Sequence, residues 1–296
     1  MSKIQEALRR LQNSDATRES ASAHSKKGFG IGNERSSVPI ARKKKVEIGG
    51  EKHHVEQKSL VEGGLLAPLD LAIPVADEFR QIKRPLIANA LESASYSESN
   101  MNVIMMASGL PRAGKTFCSV NLAVSLSLER ELNVLLVDAD VAKPHISREF
   151  GLDGAPGLID LLIDDSLSVE ETLVRTDLND IQVLPAGKPH PQATELLASE
   201  KMSSIVDELS NRYADRLIVM DSPPLLITSE AQALATQVGQ IVLVVETGMT
   251  NRQVLAQSIE VLDSSKAVNL ILNKSSHGSR MGYYGGDYGY YGYEGA

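Results

Sequence analysis

Residues Gly109 to Thr116 read GLPRAGKT and satisfy the pattern GxxxxGK[ST]. That spacing suits one task. Glycines at both ends let the backbone curl until its N–H groups face the oxygens of a polyphosphate, and a helix N-terminus just beyond adds positive potential. Lys115 is then expected on the β and γ phosphates and Thr116 on Mg²⁺. The candidate ATP-binding set is Gly109, Leu110, Pro111, Arg112, Ala113, Gly114, Lys115, Thr116 and Phe117. The octapeptide lies where such a loop must lie, after an apolar strand at 102–106 and before a helix starting near Thr116.

Two further segments end in acid. Leu135 to Asp140 reads LLVDAD, an apolar strand that delivers Asp138 and Asp140 at its C-terminal end, where open α/β sheets hold their ligands. Leu217 to Asp221 reads LIVMD, and the Ser-Pro-Pro that follows stops a helix from starting at once. Such aspartates can also cap helices or close turns. Three strand ends converging with the phosphate loop favour a metal-nucleotide site, with Lys115, Asp138, Asp140 and Asp221 as catalytic candidates and Thr116, Asp138 and Asp221 as Mg²⁺ candidates, in part through water. Asn273 and Lys274 close a last apolar run, LILNK. There Asn273 suits either a contact to the nucleotide base or an ordinary turn.

The elements that must position these groups show as short apolar runs at 103–106, 134–137, 181–184, 217–220, 241–245 and 268–272, separated by helical stretches. Nearly continuous apolar strands alternating with helices predict an α/β fold of the P-loop NTPase type, a mostly parallel sheet with helices on both faces. A chain of 296 residues with 42% hydrophobic residues has enough material for that core without disulfides or metals. The single cysteine, Cys118, falls in an apolar helical stretch and reads as packing. The six histidines show no zinc-ligand spacing with it. No GxSxG elbow, HRD signature or GxGxxG fingerprint occurs.

Charge divides the chain. Residues 1–75 hold 13 Lys and Arg against 9 Asp and Glu, whereas the remainder holds 17 against 29, which argues against nucleic acid as a partner of the folded part. Residues 1–12 suit a short amphipathic helix, for docking or as a fraying end, and 13–75, with the basic run Arg42 to Lys45, reads as a flexible linker. Residues 76–275 are the expected folded domain. No stretch approaches the roughly 18 apolar residues of a membrane span, so a soluble chain is expected. The final segment, 276–296, holds seven Gly and six Tyr in 21 residues and is expected to be disordered. Its tyrosines, Tyr283, Tyr284, Tyr288, Tyr290, Tyr291 and Tyr293, are six of the eight in the chain. A Gly-rich tether that brings several phenols in turn to one site suits phosphoryl transfer, and aromatic self-association is the competing use.

GLPRAGKT, LLVDADVAKPHI, LIVMDSPPLL and the terminal tyrosine cluster, in this order, resemble the bacterial tyrosine kinases of polysaccharide export, the BY-kinases. The tail and the phrase DEFRQIKRPLIANA look most like the exosortase-associated (XrtA, PEP-CTERM) autokinase branch. The resemblance covers nearly everything from residue 70 onward. It implies ATP and Mg²⁺ as cofactors and autophosphorylation of the tail tyrosines. It places Asp138 on the metal side and either Asp138 or Asp140 as base. It further implies a homo-oligomeric ring, a separate transmembrane chain-length or co-polymerase activator, a phosphotyrosine phosphatase, and a cytoplasmic location at the inner face of the plasma membrane through that partner. Two departures stand out. Ala142 and Lys143 occupy the place where the family carries an arginine two positions after its second aspartate. The ring-packing ExxRxxR helix is matched by Asp77, Arg80 and Lys83, and lysine lacks the bidentate fork of arginine.

Two other readings use the same motifs. An ATPase switch of the ParA or MinD type would carry a second lysine just after the first loop glycine, where Leu110 stands, and leaves the tyrosines without a purpose. A non-catalytic scaffold would bind nucleotide and present its tail, but needs no intact set of Lys115 and three aspartates.

Overall fold

Two strands, β1 (Val103–Ala107) and β5 (Arg216–Asp221), are buried at every position. A strand with no polar alternation has to be covered on both faces, and the rest of the sheet is arranged to do that. The computed structural model describes residues 51–92, 100–212, 216–263 and 266–275. The expected helix at 1–12 and the six tail tyrosines lie outside these residues. The other strands are β2 (Asn133–Asp138), β3 (Val174–Arg175), β4 (Gln182–Leu184), β6 (Gln240–Glu246) and β7 (Ala267–Asn273), in the order β3-β4-β2-β5-β1-β6-β7. All neighbours run parallel except β3 against β4. The expected class is thus observed, and each of the six apolar runs is a strand; β3 is an addition.

Alternate residues of the central strands enter two separate cores. Val103, Met105, Leu135, Val137, Ile218 and Met220 face one layer, and Ile104, Met106, Val134, Leu136, Leu217 and Val219 face the other. The first layer contains α5 (Leu158–Ile163), α6 (Val169–Thr172), α7 (Ala193–Leu197), α8 (Glu200–Arg212), α9 (Ser229–Gln237) and α10 (Arg252–Glu260). The second contains α1 (Gln57–Glu62), α2 (Ala72–Glu92), α3 (Lys115–Ser127) and α4 (His145–Glu149).

The folded unit reaches back to residue 51, into the stretch read from sequence as a linker running to 75. His53 N–H donates to Arg175 O at 2.8 Å and His53 O accepts from Asp177 N–H at 3.0 Å, so the chain enters beside β3. Val55, Leu60 and Leu65 are then buried in the second core, and Asn121 donates to Leu65 O at 2.9 Å. Burying a leucine completely contributes about 1.5–3 kcal/mol. Three such anchors, spaced five apart among Lys, Glu and Gly, carry no helical or strand period, so sequence pattern alone passes over them.

On α2 the three positions matched to the ring-packing motif are divided between surface and interior. Asp77 and Arg80 pair with one another on its exposed face, as surface residues should. Lys83 instead points inward: it is 6% exposed, donates to Ser125 O at 2.6 Å and pairs with Glu129 at 2.7 Å. It ties α2 to the end of α3 within the chain.

Candidate active site

The phosphate loop leaves β1 and enters α3 with two residues in the left-handed region, Arg112 at φ 67° and Gly114 at φ 91°. Gly114 has two reasons to be glycine. Its φ disfavours a side chain, and a Cβ there would lie 2.2 Å from Asn273 Nδ2. Gly109 is constrained from another side, since its Cβ would meet Ser258 Oγ of α10 at 2.3 Å. The end of β7 holds the loop in shape: Asn273 donates to Ala113 O at 2.9 Å, and Lys274 donates to Arg112 O at 2.7 Å while pairing with Glu246 at 2.9 Å. Support of the loop backbone is a third use of Asn273, beside the base contact and the turn that the sequence suggested.

Lys115 starts α3 and its side chain folds back into the loop, 3.2 Å from Ser108 Oγ. It is 8% exposed, and burial lowers its pKa against the charges of Asp221 and Asp140, which raise it. Asp138 and Asp221 are register partners on adjacent strands, and Ala139 N–H donates to Asp221 O at 2.9 Å. Parallel pairing therefore sets the two carboxylates side by side at the C-terminal edge of the sheet.

Each carboxyl is held differently. Asp221 is buried, which pushes it up to about 6 against the charge of Lys115 and hydrogen bonds from Thr116 and Ser119. Ser119, one helical turn after Lys115, donates to Asp221 Oδ1 at 2.9 Å. Asp138 is 0% exposed and burial pushes it up to about 7; the charges of Asp221 and Asp140 add to the rise, and Ser147 opposes it with two hydrogen bonds. Its Oδ1 is buried without a hydrogen-bond partner. Asp140 is half-buried at the rim and is also raised, first by burial, with Lys115 and Lys143 opposing. Lys143, next to the exposed Ala142, reaches it through its backbone N–H at 3.2 Å.

Lys115, Thr116, Asp138, Asp140 and Asp221 thus converge at one edge of the sheet. Ser108, Ser119, Ser147 and Lys274 join them, and of these only Lys274 was singled out in the sequence, at the close of LILNK. Cys118 faces the core, where burial raises its thiol to about 12, and has no part in the site. A magnesium–nucleotide fits these groups. Two buried carboxylates and a hydroxyl provide hard oxygen donors, one carboxylate oxygen lacks a partner, and the glycine-cornered loop is of the kind whose backbone N–H groups bind phosphate.

A glycine-cornered loop between β1 and a helix, a buried lysine and acidic ends on the next two strands define a P-loop nucleotide-binding domain. A family model described as an AAA domain matches residues 101–273. The tyrosine-protein kinase YwqD of Bacillus subtilis (strain 168) is 33% identical over 203 residues, which cover 67% of this chain and 84% of YwqD. The chain belongs to this AAA-domain family and, within it, to the bacterial tyrosine-protein kinases. Wzc of Salmonella typhimurium, also a tyrosine-protein kinase, is 28% identical over 266 residues, so this chain matches only 34% of Wzc's length. The kinase domain of Escherichia coli tyrosine kinase ETK superposes with a TM-score of 0.55 at 26% identity, covering 62% of this chain and 71% of that one.

Proposed function

We propose that this chain is a protein-tyrosine autokinase that transfers the γ-phosphoryl group of ATP to Tyr283, Tyr284, Tyr288, Tyr290, Tyr291 and Tyr293, and that it regulates exopolysaccharide production and export. The observation that carries the proposal is the convergence of Lys115 with three carboxyls at one sheet edge, all three raised by burial. Transfer forms a bond from phenol oxygen to phosphorus, breaks the bond from the γ phosphorus to the bridging oxygen, and releases ADP and the phenol's proton. A tyrosine phenol ionises near pH 10, so a base is needed at neutral pH. Asp138 or Asp140 takes that proton; in the metal-free protein burial raises both carboxyls. Lys115 stabilises charge on the β and γ phosphates from a site that excludes water, and the loop N–H groups fix their position. Mg²⁺, held by Thr116, Asp138 and Asp221, directly or through water, neutralises phosphate charge when bound.

The acceptors are supported by composition. Six of eight tyrosines share one Gly-rich segment that follows β7 directly, and β7 ends at the loop. Each phosphate adds about 1.5–2 negative charges, so successive transfers make the segment repel itself and leave acidic surfaces. We place the chain in a homo-oligomer beneath a separate membrane-spanning co-polymerase, in the exosortase-associated branch, at the cytoplasmic face of the membrane, with a phosphatase to reset it. No helix among the described residues is long and apolar enough to cross a membrane.

The test is to compare tail labelling from Mg-ATP with ATP hydrolysis, in the full chain and in a chain ending at Lys274, with and without the cytoplasmic segment of a co-polymerase. Phosphotyrosine only in the full chain supports the proposal. ATP hydrolysis indifferent to the tail and to the partner, with no phosphotyrosine, would favour an ATPase switch.

A further inference from the structure

The two oxygens of Asp138 have opposite surroundings. Oδ2 accepts twice from one residue: Ser147 N–H donates at 2.7 Å and Ser147 O–H also at 2.7 Å. Oδ1 is equally buried and accepts from nothing. Ser147 is itself 4% exposed, and its oxygen accepts from Ala186 N–H at 3.0 Å. The hydroxyl's one proton is therefore committed to Asp138, and a lone pair to the loop after β4, which fixes the hydroxyl rotor from both sides.

That loop is a firm support. Leu158 N–H donates to Pro185 O at 2.8 Å and Ile159 N–H to Ala186 O at 3.0 Å, joining it to the first turn of α5. Asp160 Oδ2 accepts from Gly157 N–H at 3.0 Å and Lys188 N–H at 3.2 Å, closing the junction. Gly157 sits so close that a Cβ would lie 2.2 Å from Pro185 O. The loop, Ser147 and Oδ2 thus form one rigid chain of contacts, and the carboxyl has one free oxygen.

We infer that Ser147 is a positioning residue that anchors Oδ2 of Asp138 and so makes Oδ1 its working oxygen toward the divalent cation of the bound nucleotide. This inference rests on the metal-nucleotide reading of the site. Ser147 acts through Asp138 and touches neither phosphate nor acceptor. Without the hydroxyl, one donor to Oδ2 remains, the carboxyl gains freedom to turn, and Ala186 N–H loses its acceptor.

The experiment uses Mn²⁺ as a paramagnetic probe and measures its affinity for the full chain in the presence of ADP by electron paramagnetic resonance. Ser147→Ala is expected to weaken Mn²⁺ about tenfold or more, as outer partners of metal ligands do. Metal-free ADP affinity should stay within about twofold, because the loop that binds phosphate is untouched. In turnover the loss should fall on kcat, with KM for ATP little changed. Ser147→Thr, which keeps the hydroxyl, should recover most of the Mn²⁺ affinity. If Ser147→Ala does not fold, Ser147→Cys makes the same comparison with a weak donor of similar size. Wild-type Mn²⁺ affinity in the Ala or Cys variant, a Thr variant as weak as the Ala variant, or a wild-type chain that does not bind Mn²⁺ with ADP would each overturn the inference. Mn²⁺ is read without any acceptor tyrosine. Absence of tail phosphorylation would therefore count against the autokinase alone, and unchanged Mn²⁺ affinity in a chain that still labels its tail would count against Ser147 alone.

Discussion

The two flanks of the phosphate loop are built on opposite principles. On the flank of β2 and β5, three carboxyls and a lysine are crowded into a buried space, and every one has its pKa moved against its charged form by burial. On the flank of β6 and β7, Asn273, Lys274 and Glu246 satisfy each other and the loop carbonyls at a half-open surface. The first flank is unstable alone and becomes favourable when a polyphosphate and its cation arrive. The second is content without a ligand and keeps the loop ready. Chemistry is therefore expected to depend on the acidic flank, and affinity on the supporting one.

Removing the acidic flank's charges should have the largest effects. Asp138→Asn or Lys115→Met is expected to reduce tail phosphorylation by at least about a hundredfold, the scale of losing one preorganised electrostatic group. Above about pH 7, where Asp138 is charged, Asp138→Asn should at the same time leave the metal-free protein as stable as wild type or more so, since a buried charge without full compensation is removed. Thermal unfolding checks this, and a large drop in the melting temperature would mean that the carboxylate is structural.

Next in size is Gly114→Ala. The left-handed φ and the collision with Asn273 both oppose it, and strain of this kind costs about 1–3 kcal/mol. Nucleotide affinity should fall about two- to tenfold if half of that cost reaches the bound loop, and calorimetric titration reads it. Unchanged affinity would show that the two flanks are not coupled through Asn273.

The apparent merit of the buried acids also has a pH signature. The folded state keeps protons on Asp138 up to about pH 7 and on Asp221 up to about pH 6, whereas unfolded carboxyls lose theirs near 4. Between those limits the folded state binds more protons, so the stability of the metal-free protein falls as pH rises through this window. Melting temperatures at about pH 5 should exceed those at about pH 7.5, and Mg-ATP should narrow the gap. The smallest expected effect is Lys274→Ala. It removes an exposed ion pair and one hydrogen bond to the loop, which should raise KM for ATP about two- to threefold with kcat unchanged.

The acidic flank was the more legible of the two in sequence, and the reason is physical. Asp138, Asp140 and Asp221 end apolar runs, and a parallel sheet brings such ends together whatever the loops do. The neighbours that hold those acids are less visible. Ser147 meets Asp138 only because α4 turns back after Pro144, and nothing in the spacing of HISREF announces it. β3 is two residues long and antiparallel, too short for any period. Residues 51–75 have the composition of a linker, and Leu60 and Leu65 gain burial only from partners far along the chain. Lys83 was named only by its match to a ring-packing motif, and its inward turn depends on the carbonyl of Ser125, which the sequence around it does not signal.

The most direct measurement is site-resolved phosphopeptide mass spectrometry of the full chain after incubation with Mg-ATP and a co-polymerase segment, beside Lys115→Met. Phosphate is expected on tyrosines between Tyr283 and Tyr293 in the wild-type chain and none in the variant. Phosphate that persists in Lys115→Met, or a wild-type tail that remains unmodified while ATP is hydrolysed, would contradict the autokinase.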